Sequence, residues 1–297
     1  MTNPLVSVAI ITYNQKDFLI EAIDSVLAQD YLNIEIVVAD DCSTDGTQNI
    51  LQQYKIKYPQ KFVLILSEIN EGITKNSNKA HFACSGKYIA WLGGDDLMFK
   101  DKIRKQVEYM ESHPDCNIVY HNLEVFDSDS GKIISYFNNK KNKYIGDVGL
   151  LIKHGTFNGA CSNMVRYDKT PKHGFDEDLP VSSDWLYWIE TLLNGGTICY
   201  IDEVLGKYRK HSKNVTNSNS VFFKQAIKDH LLTLLKIKKM TTKYDVEIYY
   251  ALSYKYMYAR VIDYKKNLLL SLKYNPLNIK ALIYLSVYFF SFTKIKL

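Results

Sequence analysis

Along the first hundred residues the hydrophobic positions switch repeatedly between two periods, and that switching defines the fold class. Val6 to Thr12 is an unbroken apolar run rich in β-branched residues, as expected of a strand buried on both faces of a parallel sheet. After Asp17, which is placed to cap a helix, Phe18, Leu19, Ala22, Ile23, Val26 and Leu27 recur at helical spacing. Ile34 to Ala39 reads as a second buried strand and is followed by the polar turn 40–46. A helix carrying Ile50, Leu51 and Tyr54 stops before Pro59. Phe62 to Leu66 then reads as a third strand, Lys75 to Cys84 as a third helix and Tyr88 to Leu92 as a fourth strand. This alternation predicts an α/β domain with a Rossmann-like, mostly parallel sheet and helices on both faces.

Further along the pattern weakens. Residues 125–180 read as loops and short strands, with a turn at 127–131 and a polar Asn/Lys run at 138–143. Asp127 and Asp129 lack the remaining positions of an EF-hand loop, so the turn is read as solvated. Helical spacing returns in Trp185, Trp188, Ile189, Leu192 and Leu193, with Asp184 at the start. Phe222 to Lys239 and Val246 to Tyr274 are also helical in pattern, Pro276 interrupts, and Ala281 to Thr293 is an uncharged run of 13 residues. That run is short of the roughly 20 residues needed to span a bilayer. The predicted organisation is a domain over 1–220, divided into halves 1–100 and 101–220, followed by a helical extension over 221–297.

Composition adds two facts. At 297 residues, 46% hydrophobic and 23% charged, the chain can bury a core of ordinary size. Its five cysteines are scattered, odd in number and without a CxxC pair, which points away from disulfide or zinc frameworks and towards a reducing compartment. The first residues carry no basic segment ahead of an apolar one, so no cleaved signal peptide is expected. Charge is uneven: residues 1–220 hold 23 basic and 28 acidic residues, and residues 221–297 hold 14 and 4. A Tyr-rich tail of net charge +10 calls for an anionic partner or a solvated surface.

The first strand ends in Thr12-Tyr13-Asn14-Gln15 and is followed by neither GxGxxG nor GxxxxGK[ST], so both glycine loops that cradle phosphate are absent. A nucleotide bound without them needs another means of neutralising its phosphates, and a carboxylate-bound cation is one. Asp40-Asp41 and Asp95-Asp96 stand at the predicted carboxyl ends of strands two and four, where open α/β sheets bind ligands. Helix capping is the ordinary alternative for either pair.

The strings VSVAIITYN, IVVADDCSTDGT, Asn70-Glu71-Gly72 and GKYIAWLGGDD, in this order and spacing, resemble the successive motifs of family 2 glycosyltransferases with the GT-A fold, and later motifs extend the resemblance to about residue 215. The resemblance implies that Tyr13 stacks on the nucleobase of a nucleotide-sugar donor, commonly a UDP-sugar, and that Asp40 accepts a hydrogen bond from the base. It places the ribose contact on Asp95 and a Mn²⁺ or Mg²⁺ ion on Asp96, with Gly93 where the family's metal motif has its first Asp. Tyr208-Arg209-Lys210-His211 resembles a motif near the end of the catalytic domain; Arg209 and His211 would meet the diphosphate or complete the metal shell, against the reading of a solvated basic loop. Asp184 occupies the place of the family's catalytic base, and it would also stabilise a helix start as a first-turn carboxylate.

The implied reaction is inverting transfer to a hydroxyl of a glycan or lipid-linked acceptor, as in bacterial surface-polysaccharide synthesis. The segment 155–160 is expected to open the acceptor floor. Lysine and tyrosine around short apolar helices suit an interfacial helix on anionic lipid, so a cytoplasmic protein peripheral at the inner membrane is expected; packing of the tail on protein is the competing reading. Nucleic acid is not an expected partner, since no reader motif occurs. A nucleotidyltransferase would carry a glycine-rich basic loop where this chain has Tyr13-Asn14-Gln15-Lys16. A catalytically silent scaffold is the third class, kept open by Gly93 and opposed by Asp40, Asp95, Asp96 and Asp184.

Overall fold

A computed structural model describes residues 3–139, 142–212, 214 and 222–293. The first half follows the hydrophobic pattern: β1 (Val6–Thr12), α1 (Lys16–Leu27), β2 (Ile34–Asp40), α2 (Thr47–Lys57), β3 (Phe62–Leu66), α3 (Ile73–Ala83) and β4 (Tyr88–Gly93). The second half comprises β5 (Leu97–Met98), α4 (Lys102–Ser112), β6 (Cys116–Asp127), β7 (Ile133–Tyr136), α5 (Val148–His154), β8 (Met164–Arg166), α6 (Asp184–Leu193) and β9 (Thr197–Lys210). Four further helices complete the described chain: α7 (Phe223–Met240), α8 (Asp245–Tyr258), α9 (Tyr264–Tyr274) and α10 (Ile279–Thr293).

Among the described residues the strands form one sheet in the order β3-β2-β1-β4-β8-β6-β9-β5, with β7 paired to β6. β1 to β4 run parallel, and β6 and β9 run parallel to each other; β8 is antiparallel to both β4 and β6, which returns β6 and β9 to the direction of β4. β1 is central, and Val6, Val8, Ala9 and Ile10 are completely buried. The register aligns Thr12 with Asp40 and Ile11 with Gly93, so three strands end level at one edge.

Three features depart from the sequence pattern. Asp17 is not the cap of α1: Gln15 takes that position without a side-chain bond, and the Lys16 N–H is instead accepted by Asp45 Oδ2 at 3.0 Å, from the loop after β2. The run 125–180 contains the end of a twelve-residue strand and the helix α5. Asn117, His121 and Asn122 interrupt the apolar run of β6, and the seven residues of α5 are too few to establish a period.

The tail helices are part of the packing. Leu234 and Ile237 of α7 and Ile248, Ala251 and Leu252 of α8 are buried in the same apolar cluster as Trp185, Trp188 and Tyr120. A smaller cluster joins Met257, Leu268 and Ala281, while Leu282, Ile283 and Val287 of α10 remain 44%, 56% and 57% exposed. No helix among the described residues is long and apolar enough to cross a membrane.

Shared packing makes a direct prediction. All three tryptophans (Trp91, Trp185 and Trp188) precede residue 220, so their fluorescence reports on the sheet-bearing part and, through Trp185 beside His230 and Lys255, on its packing with α7 and α8. Leu252→Ala removes a fully buried side chain from α8 and is expected to lower stability by about 2–5 kcal/mol, displacing the tryptophan-detected urea midpoint. An unmoved midpoint would show that α8 unfolds independently.

Candidate active site

The loops after β1 and β2 lock one another. Asn14 and Cys42 both adopt left-handed backbone, with φ of 51° and 65°, which is unfavourable for most residues other than glycine. The Asn14 N–H donates to Ser43 Oγ at 2.8 Å, and Asn14 Oδ1 accepts from the Thr44 N–H at 2.8 Å. Between them Tyr13 is turned outward, 48% exposed. Asp40 is fully buried and accepts from the Ser43 N–H (2.9 Å), from Gln48 Nε2 (2.8 Å) and from the Ser43 hydroxyl. Asp41 accepts from the N–H groups of Glu71 (2.9 Å) and Gly72 (2.8 Å), which fixes the Asn70-Glu71-Gly72 turn at the start of α3.

The loop after β4 is joined to the end of β9. Asp95 Oδ2 lies 2.9 Å from His211 Nε2, and Asn214 Nδ2 donates to the same oxygen at 3.4 Å. Asp96 is buried, and its Oδ1 accepts the Arg209 N–H at 2.9 Å. Burial and the neighbouring Asp95 charge hold the Asp96 carboxyl well above the usual carboxylate range. Arg209 braces this pair: its Nε donates to the Asp95 carbonyl at 2.8 Å, its Nη2 to Glu21 at 2.8 Å, and its guanidinium lies between the rings of Phe18 (4.6 Å) and Phe126 (4.8 Å). The guanidinium is therefore engaged within the protein, and the carboxylate facing His211 is Asp95, with Asp96 behind it.

Gly93 has a positive role here. A Cβ at that position would stand 2.8 Å from Asp95 Oδ1 and 3.4 Å from Asp96 Oδ2, in space the two carboxylates use. Among the described residues no group of three His, Cys, Asp or Glu side chains converges as a ready-made metal cage. One carboxylate facing one imidazole nevertheless fits Mn²⁺ or Mg²⁺ in a site whose remaining ligands are water and phosphate oxygens.

Asp184 reaches the same edge by a different route. Helix α6 leads into β9, which runs parallel to β6, so the start of α6 lies at the carboxyl edge of the sheet. Ser183 is the N-cap and contributes no side-chain cap; Asp184, half-buried, is the first helical residue and accepts the Trp185 N–H at 2.9 Å. The approach to Asp184 is pinned from three sides. Thr74 of α3 donates to the Leu179 carbonyl at 2.6 Å and meets Ser183 Oγ at 3.0 Å. Asn78 exchanges two hydrogen bonds with the Phe175 backbone, at 3.0 and 2.7 Å. Buried Asp229 of α7 accepts the N–H groups of Val181 (2.8 Å) and Ser182 (2.9 Å) through Oδ2.

Burial pushes the Asp184 carboxyl up, and Lys255 of α8 opposes that shift. Beside them a groove of about 210 Å³ between α5 and α8 is lined by residues including Lys153, His154, Gly155, Tyr250, Tyr254 and Lys255. The structure thus gathers Tyr13, Asp40, Asp95, Asp96, Arg209 and His211 at one edge and sets Asp184 on that edge beyond the start of α3. Sequence reading missed Asp229, His230 and Lys255. The only signal for any of them was Asp229, one of four acidic residues in a strongly basic segment.

The profile described as glycosyl transferase family 2 matches residues 7–167. TuaG of Bacillus subtilis, provisionally assigned by name as a teichuronic acid biosynthesis glycosyltransferase, is 30% identical over 220 residues, covering 73% of this chain and 84% of TuaG. An uncharacterized protein of Mycobacterium tuberculosis is 30% identical over 217 residues, and this chain spans 60% of its length. Among solved structures, residues 1–349 of TarS from S. aureus superpose with a TM-score of 0.69 at 18% identity, covering 92% of this chain and 81% of that one. The mannosyltransferase PcManGT from Pyrobaculum calidifontis, in complex with GDP-Man and Mn²⁺, gives 0.62 at 14% identity, covering 97% and 87%. At such identities the superpositions speak for the GT-A fold alone. The profile, spanning more than half of the chain, and a named glycosyltransferase aligned over most of both lengths establish that this chain belongs to glycosyl transferase family 2.

Proposed function

We propose that the protein transfers a sugar with inversion from a UDP-sugar to a hydroxyl of a glycan or lipid-linked acceptor in surface-polysaccharide synthesis. The observation that carries this reading is a single sheet edge with exposed Tyr13 and the Asp95–His211 pair on one side and Asp184 on the other. Tyr13 offers a stacking face for the base. Asp40, buried beneath the lock of the first two loops, accepts three hydrogen bonds and has one lone pair left, on Oδ1, for a donor on that base. Asp95 and His211 would hold Mn²⁺ or Mg²⁺, which when bound offsets charge growing on the leaving diphosphate. Arg209 keeps the two carboxylates of that loop in place.

Asp184 acts as general base in this reading: it takes the acceptor hydroxyl proton as the oxygen forms its bond to C1 and the bond from C1 to the diphosphate breaks. The groove between α5 and α8, next to the segment 155–160, supports an acceptor entry on that side. Uridine is supported by structural neighbours of the same fold that were solved with UDP and with UDP-GlcNAc, a divalent ion by the Mn²⁺ complex of PcManGT, and the polysaccharide setting by the name of TuaG. The exposed apolar positions of α10 within a basic tail support attachment to the cytoplasmic face of the inner membrane.

Calorimetry with a panel of nucleoside diphosphates tests the donor site. UDP is expected to bind in the presence of Mn²⁺ and to lose at least tenfold in affinity in Asp95→Ala and in Tyr13→Ala; binding of no nucleotide would favour a silent scaffold. Asp184→Asn is expected to keep UDP binding while turnover falls by about 10²–10⁴-fold, and near-normal turnover would remove Asp184 from the chemistry. Co-sedimentation with vesicles containing anionic lipid is expected for the full chain and is expected to weaken in Ile283→Glu/Val287→Glu. Equal sedimentation of the two proteins would exclude α10 as the contact.

A further inference from the structure

We propose that Lys255, carried into the site by the tail, is a positioning residue for Asp184: its ammonium group keeps the carboxylate ionised and ready to accept a proton. The inference rests on the assignment of Asp184 as base and adds to it a residue from outside the segment 7–167 matched by the family profile.

The geometry places the Lys255 ammonium over the ring of Trp185, the second residue of α6. Its Nζ lies 4.9 Å from the centre of the Trp185 ring, and Trp185 directly follows Asp184. The same Nζ is 3.2 Å from His230 Nδ1, and His230 in turn packs edge-on against Trp185 at 5.4 Å. Gly155, whose φ of 76° favours glycine, lies alongside: a Cβ there would be in ordinary contact with Nζ at 3.7 Å. The lysine is therefore contacted from α6 and α7 at once, which a solvated surface lysine is not.

The other ionisable groups on the packed elements leave this role to Lys255. His230 is neutral, because burial pushes its imidazole down to about 3, so its Nδ1 accepts a hydrogen bond from the ammonium and does not compete as a cation. Asp229 has its oxygens engaged by Val181, Ser182 and Gln225. On α5, Lys153 sits over the Tyr250 ring at 5.4 Å, while His154 stacks on Tyr144 and is shifted down by burial and by Lys153. Lys255 itself is pushed down to about 8 by burial and drawn back up by Asp184, so it remains charged at neutral pH. Burial alone would drive Asp184 towards its protonated form, in which it cannot act as a base; a cation held nearby favours the ionised form.

The sign of the test follows directly. Removing the cation raises the Asp184 midpoint, and the base is lost at a higher pH than in the parent. Carboxyl ¹³C NMR of protein labelled at aspartate Cγ measures this without substrate, the signal missing in Asp184→Asn identifying the residue. Lys255→Met and Lys255→Gln are each expected to raise the midpoint by one pH unit or more, a tenfold change in the ratio of ionised to protonated carboxyl, and Lys255→Arg to restore it. A matching upward move is expected in the acid limb of turnover, with far-UV circular dichroism and UDP binding unchanged. A folded Lys255→Gln whose Asp184 midpoint equals the parent's would overturn the proposal and leave the base assignment intact, whereas an active Asp184→Asn would remove the base assignment itself.

Discussion

The site depends on how the fold manages buried carboxylates. A carboxylate withdrawn from water is costly unless its oxygens accept hydrogen bonds or face a cation, and this sheet edge holds three that are buried, Asp40, Asp41 and Asp96, two that are half-buried, Asp95 and Asp184, and the exposed Asp45 beside them. Asp40 is held by Ser43 and Gln48, Asp41 by two backbone N–H groups of the 70–72 turn, and Asp45 by Thr47 and the first N–H of α1. Asp95 meets His211, Asp96 takes the Arg209 N–H, and Asp184 takes the Trp185 N–H. Most of these partners come from a different element than the carboxylate itself. Satisfying the charges is therefore the same process as closing the loops on one another, and the edge is organised before any ligand arrives.

One consequence is that the two halves of the site are linked. Asp41 fixes the turn that opens α3, and two residues later Thr74 bonds to Leu179 and Ser183, immediately ahead of Asp184. A short run of hydrogen bonds thus joins the loop after β2 to the start of α6. The same connection explains why α3 carries polar residues on a buried face: Thr74 and Asn78 meet the backbone of the loop ahead of α6, at Leu179 and Phe175, and Asn76 donates to the Ala39 carbonyl at the end of β2.

The tail extends this logic. Its aliphatic residues enter the main core beside α6, and its polar residues reach the start of that helix, Asp229 on the backbone ahead of Asp184 and Lys255 over the Trp185 ring. A segment that reads as a basic appendage thereby helps to fix the start of α6. The strong positive charge of the tail remains on its other faces, with the exposed apolar positions of α10.

The sequence by itself determined the strand and helix alternation of the first hundred residues, because each buried parallel strand is a continuous apolar run and the polar-rich segments between them include the apolar stripe of α1. It also located the carboxylates at the strand ends, Asp184 at a helix start and Tyr13 beyond the first strand, since these depend on local order along the chain. Tertiary structure alone decided the rest. That Asp45 and not Asp17 serves the start of α1, that His211 faces Asp95 while Asp96 lies behind it, and that Arg209 is consumed as a brace all depend on residues tens to more than a hundred positions apart. That Lys255 stands over Trp185 was hidden for the same reason: a lysine among tyrosines on a helix looks solvated until another helix is packed against it, and periodicity records which face is apolar, not which neighbour covers it.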